Sequence, residues 1–68
     1  MVKLSETDSA FIKKHFENAE ELLKAEHVNI VLNAIFDLLT KKGFYGYEYN
    51  ELGEEAQKVY DSIYLNNP

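Results

Sequence analysis

The sequence predicts an all-α fold, a compact bundle of three to four helices, and three observations carry that prediction. Apolar residues recur at helical spacing over most of the chain, residues 28–39 are apolar on all but one narrow stripe, and capping residues stand where helices would begin. The expected helices cover about 5–25, with a break near 17–18 as an open alternative, then 28–42 and 51–65. An aromatic connector, residues 43–50, joins the last two. At 68 residues the chain reads as a single domain, 1–68. A chain of this size buries only about 60% of the surface its unfolded form exposes, so its core must use nearly every large apolar residue.

The first helix starts at Ser5, because Ser5 and Asp8 have the form of a capping box with Asp in place of the usual Glu. Phe11, Ile12, Phe16, Ala19, Leu22 and Leu23 then follow at helical spacing. Asn18 and Glu21 form a second box, which is the reason to expect a break. The segment HVNIVLNAIFDLLTKKG reads as the central helix. Nine of the twelve residues from Val28 to Leu39 are apolar, and Asn29, Asn33 and Asp37 fall at successive i,i+4 steps. Such a helix is expected to be wrapped by its neighbours. Lys41 and Lys42 suit the negative end of its dipole, and Gly43 stands where a left-handed residue commonly ends a helix, with Phe44 folding back on it. Asn50 is the expected N-cap of the last helix. Leu52, Ala56, Val59, Tyr60 and Ile63 make the apolar face of that helix, and Glu54–Lys58 is a well-oriented i,i+4 pair. Asn66, Asn67 and Pro68 cannot extend it.

Charge is unevenly distributed. The net value is −5, yet residues 1–42 hold seven acids against six lysines, whereas residues 43–68 hold five acids against Lys58 alone. There is no arginine, the residue that supplies bidentate contacts to phosphate and guanine, and this argues against direct binding of nucleic acid. Without cysteine there is no disulfide and no thiolate metal site. His15 and His27 stand twelve residues apart without a metal-binding pattern, and are expected to be solvated or capping. No nucleophile elbow or phosphate loop is present, and a pair such as Glu17–Glu21, which could place two carboxylates together, is expected to be solvated on a small helical surface without a cleft, so the expectation is a protein that is not an enzyme and needs no cofactor or metal. Nothing approaches the roughly 20 apolar residues of a membrane span, and the first residues carry no secretory pattern. A cytoplasmic protein is expected.

The connector and the turn after it, KKGFYGYEYNELGEE, form the most unusual stretch. If residues 45–49 are extended, Tyr45, Tyr47 and Tyr49 point to one side and Gly46 and Glu48 to the other. Tyrosine is enriched at the buried centres of protein interfaces. Glu51, Glu54 and Glu55 follow in the first turns of the last helix, where they also suit its positive end. The candidate partner-binding residues are therefore Tyr45, Tyr47, Glu48, Tyr49, Glu51, Glu54 and Glu55.

Two resemblances add to this reading. The run Tyr47-Glu48-Tyr49-Asn50-Glu51-Leu52-Gly53-Glu54-Glu55-Ala56 resembles the strand-to-helix exit of the wing in winged-helix regulators, with an acidic exit and no arginine. Glu55-Ala56-Gln57 followed by Tyr60-Asp61, Ile63 and Tyr64 is similar to the ends of small phage-encoded proteins of Gram-positive bacteria. The second resemblance implies action in a host bacterial cytoplasm, commonly by binding a host protein. Together these observations lead to the expectation of a small acidic interaction module that binds a basic surface of a nucleic-acid-handling protein, such as a defence nuclease or CRISPR effector. One alternative is a homo-oligomer, at its simplest a homodimer, that hides Tyr45, Tyr47, Tyr49, Tyr60 or Tyr64 in a self-interface. A further alternative is a winged-helix-like accessory regulator without direct DNA binding, which predicts a hairpin at 44–49.

Overall fold

The computed structural model describes residues 2–68. Among them the chain forms α1 (Glu6–His15), α2 (Ala19–Leu23), α3 (Val28–Lys42), a hairpin of β1 (Phe44–Tyr45) and β2 (Glu48–Tyr49), and α4 (Glu51–Asn66). The helical bundle is the expected fold class, and the open question over residues 5–25 resolves as two helices.

Each helix start has a local cause. Ser5 Oγ accepts the Asp8 amide at 3.1 Å and Asp8 Oδ2 accepts the Ser5 amide at 3.1 Å, so the box closes with Asp in the Glu role. Asp8 is also buried, and its Oδ2 accepts the Ser62 hydroxyl at 3.1 Å from 54 residues away. That contact ties α1 to α4. The second box does not form: Asn18 stands at φ −92°, ψ 33°, outside the extended region, and its side chain caps nothing. Here the chain turns at Phe16, whose backbone is extended and whose ring packs against the core.

The core lies where α1, α3 and α4 converge. Phe11 and Ile12 come from α1, Val31, Leu32, Ile35 and Leu39 from α3, and Ala56, Val59 and Ile63 from α4. Leu52 and Tyr60 pack against it from the flanks of α4, as their spacing predicts. The central helix is less enclosed than its composition suggests. Ile30 and Phe36 are exposed, so the expectation of a helix wrapped on all but one stripe is corrected. Too few elements surround a helix in a domain of this size to cover it all round.

Other local expectations also change. Gly43 ends α3 at φ −91°, not in the left-handed region. It is a glycine because a Cβ there would stand 2.5 Å from the Leu39 carbonyl and 3.0 Å from Gly53 Cα. Conversely, a Cβ on Gly53 would lie 1.9 Å from the Gly43 carbonyl, so the end of α3 and the first turn of α4 meet backbone to backbone. Phe44 enters β1, where its ring packs with that of Tyr49. Glu54 and Lys58 make no ion pair; among the described residues only Lys41–Asp37, at 3.0 Å, does so. Exposed pairs gain too little to hold two long side chains in one geometry. His15 is not simply solvated, since its ring lies 4.6 Å from that of Phe11 and its Nε2 is buried without a hydrogen-bond partner. His27 occupies the N-cap of α3 without a side-chain bond.

Candidate protein-interaction surface

The hairpin between α3 and α4 is built by a two-residue loop. Phe44 pairs with Tyr49 and Tyr45 with Glu48, leaving Gly46 and Tyr47 at the tip. Gly46 has φ 67° and no other described residue has a positive φ, which is the pattern of a type II′ turn with glycine at its first position. This corrects the extended reading of residues 45–49. Because the chain reverses at Gly46, the three tyrosines do not share a side. Phe44 and Tyr49 face one way, Tyr45 and Glu48 the other, and Tyr47 stands at the turn itself.

Asn50 holds this loop to both helices. Its Oδ1 accepts the Gly53 amide at 2.7 Å, its Nδ2 donates to the Lys42 carbonyl at 2.8 Å, and its own amide donates to the Gly43 carbonyl at 2.9 Å. One residue therefore starts α4, closes the open end of α3 and fixes the base of the hairpin. A second tether runs along α4. The Tyr49 hydroxyl donates to Gln57 Oε1 at 3.1 Å, and Gln57 Nε2 donates to Asp61 Oδ1 at 2.9 Å. The Phe44 and Tyr49 rings pack together with centroids 5.1 Å apart.

These tethers leave two rings free. Tyr45 is 84% exposed and Tyr47 is fully exposed, at 104%. Glu48, Glu51, Glu54 and Glu55 are exposed as well. All seven predicted site residues thus lie on the hairpin and the first turns of α4, with Tyr49 turned onto α4 and the others open to solvent. The positioning residues Asn50, Gln57 and Gly53 were not among them. Asn50 and Gln57 could have been read from their spacing to neighbours, whereas the meeting of Gly43 and Gly53 depends on how two helices cross.

A groove of about 470 Å³ opens at the opposite end of the α3–α4 pair, between Val2 and Lys3, the start of α3 and residues 66–68. None of the seven predicted residues lines it. There the Asn67 side chain accepts the Lys3 amide at 2.7 Å and donates to the Lys3 carbonyl at 2.9 Å, sealing the N-terminal segment onto the end of α4. Among the described residues no group of three or more His, Asp or Glu side chains could hold a metal ion, and no helix is long and apolar enough to cross a membrane. No family model, no curated protein and no solved structure matches this chain.

Proposed function

We propose that this chain is a small interaction module whose hairpin tip and acidic first turns of α4 bind a basic surface on a protein partner. The observation that carries the reading is the pair Tyr45 and Tyr47, two large rings held in solvent on a loop fixed by Asn50. Exposing tyrosine contributes nothing to a core, while a fixed loop loses little entropy when it docks. Glu48 stands opposite Tyr45 in the hairpin, and Glu51, Glu54 and Glu55 follow in the first turns of α4, four negative charges between Lys42 and Lys58. Aromatic anchors with an acidic rim suit a basic partner groove, and an acidic field speeds encounter with one. Carboxylates at Glu51 and Glu55 have Cβ atoms roughly 5–6 Å apart, on the scale of neighbouring phosphates, so a groove built for nucleic acid is the concrete target. Inhibition of a nucleic-acid-handling protein, a bacterial defence nuclease among the possibilities implied by the phage resemblance, follows from occupying that groove.

The test is capture from bacterial lysate with the intact chain as bait, run in parallel with Glu51→Lys/Glu54→Lys/Glu55→Lys. The reading expects a basic protein released as salt rises and lost from the charge-swapped bait. Equal capture by both baits would remove the acidic turn from the site. The hairpin also favours a second reading, because a hairpin at 44–49 is what the winged-helix resemblance predicts. In that case the module is an accessory regulator, and its partner is a protein of the transcription machinery.

A further inference from the structure

Asp8 is satisfied on one side only. It is 1% exposed, and among the described residues it is the one polar or charged side chain in the core. The Ser5 amide and the Ser62 hydroxyl both bond to its Oδ2, each at 3.1 Å. Among the described residues no donor stands on Oδ1. The capping box therefore accounts for half of this carboxylate. A carboxylate oxygen held inside a protein without a donor costs free energy, so Oδ1 calls for a partner from outside the chain.

Asp8 lines a cleft of about 270 Å³ between the start of α1 and α4, and Ser5, Thr7, Lys58, Val59 and Ser62 line the rest of it. That is room for several water molecules at roughly 30 Å³ each, near the lower end of small-molecule sites. His15 Nε2 is the one fully enclosed side-chain atom without a partner among the described residues, so Asp8 Oδ1 keeps access to the cleft. Lys58 stands four residues before Ser62 on the same face of α4, roughly 5–6 Å along the helix from the bond between Ser62 and Asp8. Among the described residues its ammonium makes no ion pair. The nearby carboxylates Glu6, Glu54, Glu55 and Asp61 do not line the cleft, and Asp61 accepts from Gln57. The cleft thus holds one acid and one base, each without a partner on its open side.

We propose that this cleft binds a small zwitterion, whose ammonium donates to Asp8 Oδ1 and whose carboxylate accepts from Lys58 Nζ. Charge selects that class of ligand. A plain cation would satisfy Asp8 but meet Lys58, and a plain anion would suit Lys58 but meet Asp8. A molecule with opposite charges about one helical turn apart answers both, through charge-assisted hydrogen bonds at each end. The Thr7 and Ser5 hydroxyls offer further donors and acceptors along the wall. Because Asp8 belongs to α1 and Lys58 to α4, the bound molecule would join the two helices beside the bond from Ser62. No hairpin residue lines the cleft, so this site stands apart from the surface proposed above.

Amide nitrogen–proton correlation spectra of the intact chain test this, with γ-aminobutyrate, n-butylammonium and butyrate titrated separately at fixed pH and ionic strength. The first probe carries both charges at about the required separation, and each of the others carries one. The expected result is a saturable shift of the amides of Ser5–Ser9 and Lys58–Ser62 by γ-aminobutyrate, with a dissociation constant of about 1–10 mM. Each singly charged probe should bind at least about tenfold more weakly. Lys58→Met should weaken γ-aminobutyrate about tenfold without weakening n-butylammonium, since it removes the contact to the carboxylate alone. Asp8→Asn should abolish the response to both, and Lys58→Met, an exposed position, carries the test if Asp8→Asn does not fold. No saturable shift below about 100 mM, an equal response to n-butylammonium, or an unchanged response in Lys58→Met overturns the inference. The cleft would then hold water, or Lys58 itself would close onto Asp8.

Discussion

Two connectors reverse the chain in this molecule, and they treat their apolar residues in opposite ways. Between α1 and α3 the chain runs through residues 16–27, where Phe16, Ala19 and Leu23 pack against the core and Leu22 and Ala25 are buried. Between α3 and α4 it runs through residues 43–50, where Phe44, Tyr45, Tyr47 and Tyr49 are all exposed. Side-chain hydrogen bonding is also inverted. The Asn18 side chain caps nothing in the first connector, while the Asn50 side chain makes two hydrogen bonds in the second. The first connector is held by what it buries. The second is held by its backbone, by Asn50 and by the bond from Tyr49 to Gln57, which leaves Tyr45 and Tyr47 free of any duty in the core.

Substitutions can break or sharpen that contrast. Gly53→Ala should have the largest effect, since its Cβ would overlap the Gly43 carbonyl and neither backbone can give way without separating the helices. A loss of about 3 kcal/mol is expected, lowering the thermal midpoint by roughly 12–24 °C. An unchanged midpoint would mean that the second connector is not held by that contact. Phe16→Ala should come next, at about 2 kcal/mol for a ring only partly enclosed by the core, read by urea denaturation. Asn50→Ala removes the cap of α4 and the bond to Lys42, and should cost about 1–2 kcal/mol in the same assay. If Asn50→Ala proved harmless while Phe16→Ala did not, both connectors would be held by burial alone. Tyr47→Ser should change stability by no more than about 0.5 kcal/mol, because a fully exposed ring leaves no cavity behind.

What the sequence made legible follows the range of the interactions involved. The Ser5–Asp8 box, the Asn50 cap, the end of α3 at Lys42 and the apolar face of α4 all depend on residues within about one helical turn of each other, and each stands where spacing placed it. The bond from Ser62 to Asp8 and the clamp of Asn67 on Lys3 join residues 54 and 64 positions apart, and no local pattern announces them. Gly43 shows the same limit: its position at the helix end was legible, but its reason is a contact with another helix rather than a left-handed turn. At the candidate site, the aromatic cluster and its acidic neighbours were visible in composition. The sides they face were not, because one positive φ at Gly46 reverses the chain and reassigns every tyrosine.

The central claim is that Tyr45 and Tyr47 are displayed for a partner and contribute nothing to the fold. The Tyr45→Ser/Tyr47→Ser double variant tests it most directly, with its thermal midpoint and its retention of a lysate partner measured side by side with the unaltered chain. The account predicts a midpoint within a few degrees of the parent and loss of the partner. A midpoint lowered by 10 °C or more, about 1–3 kcal/mol for a domain of this size, would show that the rings hold the fold, and undiminished capture would show that they do not bind.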